Sequence, residues 1–467
     1  MALFSISRFF TIFSLFAIPI VSRGTLFPFI VGKYAWFRGS VGLAFTCFVL
    51  GLLFSSDRKN YEEKLKKTIK SPLGIAVGVF VAIFLISGFL GFDPGNSFWS
   101  NFERGEGGVQ IIHLYIFFLL LTTLFTSEGD WRKVLGYAVF AGMLSATYGF
   151  LASFEVADFI CSFFKEGASY RFQGSLGNPS YVAVYAIFLI FYALYLILTA
   201  GKRILKRDFV KTWILILSIV TFFVMFYLAA TRGAFLGLIG SLVLFMVFLM
   251  FFHDRLRKPI AILTIAIVVL LGTLFFFRNS QFIKQLPGSR IFDISFSATT
   301  FGHRTLMWGI ALDGFKERPI LGWGPENFYQ IFDRHFDTEY FKPPGQFGAW
   351  FDRAHSLIFD YLAETGIFGL LSFLATFVVF YYLFFSFLIR SRKASRAEET
   401  TKHLVNSPKF VFNSAIVQGL FFAMPIAYFI QGLVLFDVLV TYMNLFLFMA
   451  FANYHFLSYG SGETDKK

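Results

Sequence analysis

Apolar residues recur along this chain in long unbroken runs of about 18 to 25 positions, the length a helix needs to cross roughly 30 Å of hydrocarbon. They fall at about 9–29, 36–55, 72–91, 109–126, 134–153, 180–200, 212–230, 234–252, 259–277, 366–389, 410–434 and 437–457. The alternation of barrel strands is absent, and no internal repeat is visible. A helix satisfies its own backbone groups in lipid, so the pattern predicts an all-α integral membrane protein with about twelve transmembrane helices. Residues 1–467 then form a single polytopic membrane domain, interrupted by one long polar stretch over 278–365.

The polar connectors orient the spans. Lys and Arg cluster at Arg58–Lys70, Lys202–Lys211, Arg255–Lys258 and Arg390–Arg396, with Arg132 and Lys133 in agreement. These are alternate connectors, and positively charged loops stay in the cytoplasm. Both termini are therefore expected on the cytoplasmic side, in the cytoplasmic (inner) membrane. The first run, Phe9 to Val21 after Arg8, is followed by Val21-Ser22-Arg23-Gly24, a poor cleavage site, and reads as an uncleaved span. On the outer side fall 92–108, 154–179, the tight turn at Thr231-Arg232-Gly233 and the long loop 278–365, between spans nine and ten. A loop of that length carries function more often than it merely links.

Within that loop Phe301 to Phe315 has helical spacing, with Arg304 and Trp308 one turn apart on a shared face. Pro319, Gly322, Gly324 and Pro325 break the pattern, and a second amphipathic helix is predicted from Asp352. Asp352 is the natural N-cap there, which would place His355 in the first helical turn.

Composition sharpens the class. The chain is 57% hydrophobic, 21% aromatic and 15% charged, far from soluble averages. Its net charge of +13 arises from 41 basic and 28 acidic residues, and the basic ones sit in short connectors. They orient a membrane protein and imply no nucleic acid partner. Cys47 and Cys161 are far apart and predict neither a disulfide framework nor a metal site, and no histidine pair has ligand spacing. The phenylalanine excess reads as lipid-facing and packing mass.

Four outer-side residues stand out: Arg171, Arg232, Arg304 and His355. External arginines run against the positive-inside bias and need a reason. Arg232 reads either as an anchor to lipid headgroups or, in a turn too short to hold it away from the bundle, as an inward-facing cation. Arg304 is either a surface cation of an amphipathic helix or part of an anion site. Glu155, Asp158 and Glu166 could simply neutralise Arg171. A helix terminus would lower the His355 pKa, whereas Asp352 or a bound phosphate would raise it. A neutral imidazole is what a general base requires. Asp437, at the start of the last span, reads as a buried partner or a proton-pathway residue. The chain has no Asp-x-Asp pair for a metal with a nucleotide sugar, no phosphate-binding P-loop and no Gly-x-Ser-x-Gly elbow.

Taken in order, Arg171-Phe172-Gln173-Gly174 with Gly177-Asn178-Pro179, Thr231-Arg232-Gly233, Arg304 with Trp308, Pro319-Ile320-Leu321-Gly322-Trp323-Gly324, and His355 with Glu364-Thr365-Gly366 resemble the O-antigen ligase and polymerase superfamily. That superfamily comprises multi-span bacterial glycosyltransferases, including protein O-oligosaccharyltransferases. The resemblance covers about 171–370. It implies an undecaprenyl-diphosphate-linked glycan as donor, a glycolipid, glycan or protein acceptor, an external loop folded over a cavity, and no metal or other cofactor. Arg232 and Arg304 would bind the diphosphate and His355 would activate the acceptor hydroxyl. Arg171, Asn178, Trp308 and Arg353 are the expected substrate contacts. Ser356 stands where the family commonly has Asn, and Ser180 follows Asn178-Pro179 where Asn is common, departures that bear on the acceptor. An O-antigen-ligase-like reaction is the expectation, beside polymerase, protein glycosylation and, from another class, an anion or solute transporter.

Overall fold

The structure of the protein is a computed structural model, and it describes residues 2–101, 103–155, 171–200, 209–254, 257–285, 299–338, 350–400 and 414–460. All regular structure among them is helical. In chain order the helices are α1 (Ala2–Phe13), α2 (Val31–Phe54), α3 (Arg58–Lys70), α4 (Pro72–Phe89), α5 (Pro94–Trp99), α6 (Gly108–Leu124), α7 (Glu128–Glu155) and α8 (Pro179–Leu198). They continue as α9 (Phe209–Ala229), α10 (Arg232–Phe252), α11 (Arg257–Phe276), α12 (Gln281–Gln285), α13 (Thr299–Glu317), α14 (Phe328–Arg334), α15 (Leu357–Thr400), α16 (Ala415–Gly432) and α17 (Leu439–Gly460).

Among the described residues nine helices are long and apolar enough to cross a membrane: α2, α4, α7 to α11, α15 and α16. Three more apolar runs of the sequence also form helices. α1 with its 3-10 extension and α6 are shorter, and α17 is buried on nearly every side and carries Asn444, Asn453 and His455. The first run is displaced from 9–29 because α1 starts at Ala2 and its 3-10 extension ends at Ala17. Pro19 supplies no N–H and its ring clashes with the preceding turn, so residues 20–30 leave the helix.

Packing graduates from centre to rim. α8 is buried along almost its whole length, with Tyr185, Tyr192 and Tyr195 inside, whereas no side chain of α11 is buried. A helix apolar all round and exposed in the isolated chain is one that faces lipid. α10 lies close against α16, where a Cβ at Gly237 would come within 2.8 Å of the Ala427 carbonyl oxygen. Small residues permit this approach of two backbones.

The helix predicted over Phe301–Phe315 is α13, and with α14 it forms a small second core around Met307, Trp323, Phe328 and Ile331. That core is stitched to α15 by an inserted segment. Gly366 adopts φ 64° and ψ −168°, which breaks the helical ladder of α15. The freed Ala363 and Glu364 carbonyls accept from Trp323 N (3.0 Å) and Gly324 N (2.7 Å), while Ile367 N donates to Pro319 O (2.9 Å). A Cβ on Gly366 would lie 2.4 Å from Ile320, and one on Gly322 would lie 2.5 Å from Glu364. The Pro319–Gly324 and Glu364–Gly366 motifs are thus two halves of one backbone junction, and each glycine is required by contact with the other half.

Candidate active site

Arg232 is the first residue of α10. The preceding turn is tight: Ala230 has φ 44°, and Thr231 is extended. Arg171 braces this turn, its Nε donating to Ala229 O (3.0 Å) and its Nη2 to Thr231 Oγ1 (2.7 Å), while Phe172 N donates to Leu228 O (3.0 Å). Of the acidic residues expected near Arg171, Asp158 and Glu166 lie outside the described residues, as does the side chain of Glu155. Asn178, from the same motif, caps α8, its side chain accepting from Ser180 N at 2.8 Å.

Arg304 projects from α13 and is half-buried. Burial, and then the charge of Arg232, hold its guanidinium below the usual arginine range. An arginine so placed remains charged at neutral pH. Trp308, one turn along, stacks on Phe359 of α15 at 5.2 Å and 15° and fixes the face of α13 that carries Arg304.

His355 completes the group. It is not in a helix: its φ is 57°, α15 starts at Leu357, and Ser356 precedes the first turn. The N-cap expected at Asp352 is corrected accordingly. Asp352 instead receives Arg104 in a two-point ion pair, Nε to Oδ2 at 2.7 Å and Nη2 to Oδ1 at 2.9 Å. The His355 ring stands edge-on between Phe351 and Phe436, both 5.0 Å away between centroids. Burial pushes its pKa down to about 4; the Arg353 carbonyl and Asp352 oppose this, and the charges of Arg304 and Arg104 add to it. The imidazole is therefore neutral at pH 7. Its Nδ1 lies 3.1 Å from the Arg353 carbonyl oxygen. A carbonyl only accepts, so Nδ1 carries the hydrogen and Nε2 the lone pair.

Close to His355 lies a buried charged group that sequence reasoning named only in part and did not assemble. Arg353, expected among the substrate contacts, is buried. Its Nη1 donates to both Glu364 oxygens (3.1 and 3.0 Å), its Nη2 donates to Glu326 Oε1, and Glu106 Oε2 lies 3.9 Å away. Glu326 also accepts from Ser100 Oγ (2.8 Å), and Asp360 accepts from Ala354 N (2.6 Å). Asp437, singled out as a buried partner or proton-pathway residue, is buried and accepts from Tyr428 OH (2.5 Å). These groups surround a cavity with about 20 Å³ open to the centre of a water molecule. Arg104, Glu106, Glu326 and Arg353 are far apart in sequence and belong to no local motif. The one available signal was their placement in outer-side connectors of an apolar protein.

Burial pushes the Glu106 carboxyl up to about 8. A carboxyl whose folded pKa is raised adds stability below its unfolded value of about 4.5, and that contribution is lost as pH rises to about 8. Glu106→Gln is therefore expected to flatten the fall in melting temperature between about pH 5 and 8. An unchanged pH slope in scanning fluorimetry would contradict this.

Arg232 at the start of α10, Arg304 on α13 and His355 before α15 are linked electrostatically through Arg304, which feels the charge of Arg232 and whose own charge acts on His355. Such an arrangement suits a doubly charged phosphate group next to a base. No group of three or more His, Cys, Asp or Glu among the described residues is arranged to hold a metal ion. No curated protein matches the chain. Residues 217–374 match the family model described as O-antigen ligase, a stretch that contains Arg232, Arg304, His355 and both halves of the backbone junction. Over this stretch the chain is similar to the O-antigen ligase family.

Proposed function

We propose that the protein transfers a glycan from a polyprenyl-diphosphate carrier to an acceptor hydroxyl at the outer face of the cytoplasmic membrane, as a ligase does. In this reading α1, α6 and α17 join the nine candidate spanning helices to give twelve spans, and 278–365 lies outside with both ends of the chain in the cytoplasm. What supports the proposal is the electrostatic coupling of Arg304 both to Arg232 and to a neutral His355 whose Nδ1 is held by the Arg353 carbonyl.

The mechanism follows from those groups. Arg232 and Arg304 hold the diphosphate by charge-assisted hydrogen bonds and stabilise the charge that develops as it leaves. The acceptor oxygen attacks the anomeric carbon from the opposite side, giving its proton to His355 Nε2. The bond from anomeric carbon to diphosphate oxygen breaks, its electron pair leaves with the lipid diphosphate, and the anomeric centre inverts. Free His355 is too acidic to be a strong base. The charges of a bound diphosphate, set among Arg232, Arg304 and His355, raise its pKa toward neutrality, so the donor itself readies the base.

The reconstituted full chain, given a polyprenyl-diphosphate glycan, a panel of glycolipid, glycan and protein acceptors, and a chelator, tests the reading. Release of free lipid diphosphate that requires an acceptor and survives the chelator is expected. Solute flux into vesicles without any such release would replace the transferase with a transporter.

A further inference from the structure

We infer that a pocket bounded by residues 29–34, 104–106, 176–181 and 438–440 receives a sugar ring of the acceptor, with ring hydroxyls bonding to the Glu106 carboxyl and the Lys33 amine. This rests on the transferase reading and gives that site an acceptor side. The pocket has about 30 Å³ open to the centre of a water molecule and is lined mainly by apolar and aromatic groups, with Lys33, Arg104 and Glu106 as its charged members.

Its aromatic walls are seated by two glycines in the left-handed region. A Cβ on Gly177 (φ 69°) would lie 2.5 Å from the Phe29 ring, and one on Gly105 (φ 65°) would lie 2.4 Å from the Tyr34 ring. Any other residue at either place would clash with the ring and meet an unfavourable backbone conformation. Gly177 is the part of the Gly177-Asn178-Pro179 motif that the diphosphate chemistry leaves unexplained.

The polar partners are poised for a neutral, hydroxyl-bearing ligand. Glu106 is buried; its Oε1 accepts from Leu439 N at 2.7 Å, and its Oε2 has no hydrogen-bond partner. A buried acceptor without a donor is costly, and a ligand hydroxyl relieves it. Lys33 is buried as well, and of its three donors one goes to Ile18 O (2.8 Å) and one to Ile20 O. Aromatic walls suit the C–H faces of a pyranose, and a few fixed polar groups suit its hydroxyls.

The pocket adjoins the reacting centre. Phe436 lies 5.0 Å from the His355 ring, and the Arg104 guanidinium lies 5.1 Å from that same Phe436 ring. Arg104 in turn lines the pocket and binds Asp352, three residues before His355.

The test uses the full chain in nanodiscs with diazirine-bearing methyl glycosides of glucose, galactose and N-acetylglucosamine, the adducts being mapped by mass spectrometry. Adducts are expected within 29–34, 104–106, 176–181 or 438–440. They should be competed by the unlabelled glycoside and weakened at least about tenfold by Val440→Trp, or by Leu176→Trp if the first variant does not fold. Adducts elsewhere, indifference to both fillings, or displacement by added lipid alone would overturn the assignment. Glycoside binding without any transfer to acceptors would remove the transferase reading and leave the pocket. Transfer by the filled variants at an unchanged acceptor KM would do the reverse.

Discussion

Alanine at position 355 lowers kcat for glycan transfer by about 10² to 10⁴, the usual contribution of a positioned general base, while donor binding persists. The expectation comes from the geometry. Nδ1 is committed to the Arg353 carbonyl, which leaves Nε2 as the basic atom, and the ring is wedged between Phe351 and Phe436. The pH dependence separates this role from a structural one. The free-enzyme pKa of about 4 should set the acid limb of kcat/KM, whereas the limb of kcat, which reports the donor complex, should lie higher because bound diphosphate favours the imidazolium. Coincident acid limbs near the ordinary histidine value of about 6.5 would show that His355 is not the titrating base.

Removing the Arg353 side chain is expected to have the largest effect on stability. Arg353→Met leaves Glu326 and Glu364, with Glu106 close by, buried without their common cation, and breaking such a group costs about 3–5 kcal/mol. The loss should appear as a lower unfolding midpoint in detergent even with the active-site residues intact. Adding Glu364→Gln and Glu326→Gln should recover part of it, since uncharged partners no longer need the guanidinium. A midpoint unchanged by Arg353→Met would contradict the placement of this group at the centre of the carboxylates. In the proposed mechanism Arg353 acts through its carbonyl and its anchoring, as a positioning residue for His355.

Much of the helical frame was legible because hydropathy is the signal lipid selects. Pro72–Phe89, Phe209–Ala229 and Arg232–Phe252 lie within a few residues of the runs that predict them. The first run misleads because its apolar composition continues past Pro19, where the backbone can no longer be helical. Arg232, Arg304 and His355 were legible as chemistry, since external arginines and a histidine in an otherwise apolar chain demand a reason. Their coupling was not, because it depends on how α10, α13 and the loop before α15 pack. Asp352 shows the limit best. An aspartate just before an apolar helix has the local signature of a cap, yet its partner is Arg104, 248 positions away. Only tertiary structure chooses between two such bonds.

The claim that carries the account is that Arg304 and His355 act on one reacting group. Its most direct test is the single-turnover release of lipid diphosphate in the wild type, Arg304→Ala, His355→Ala and the double variant. Residues that serve one transition state lose their effect together, so the double variant should be no more than about tenfold slower than His355→Ala. Two large losses that multiply in full would mean that the residues act independently, and would contradict a shared site.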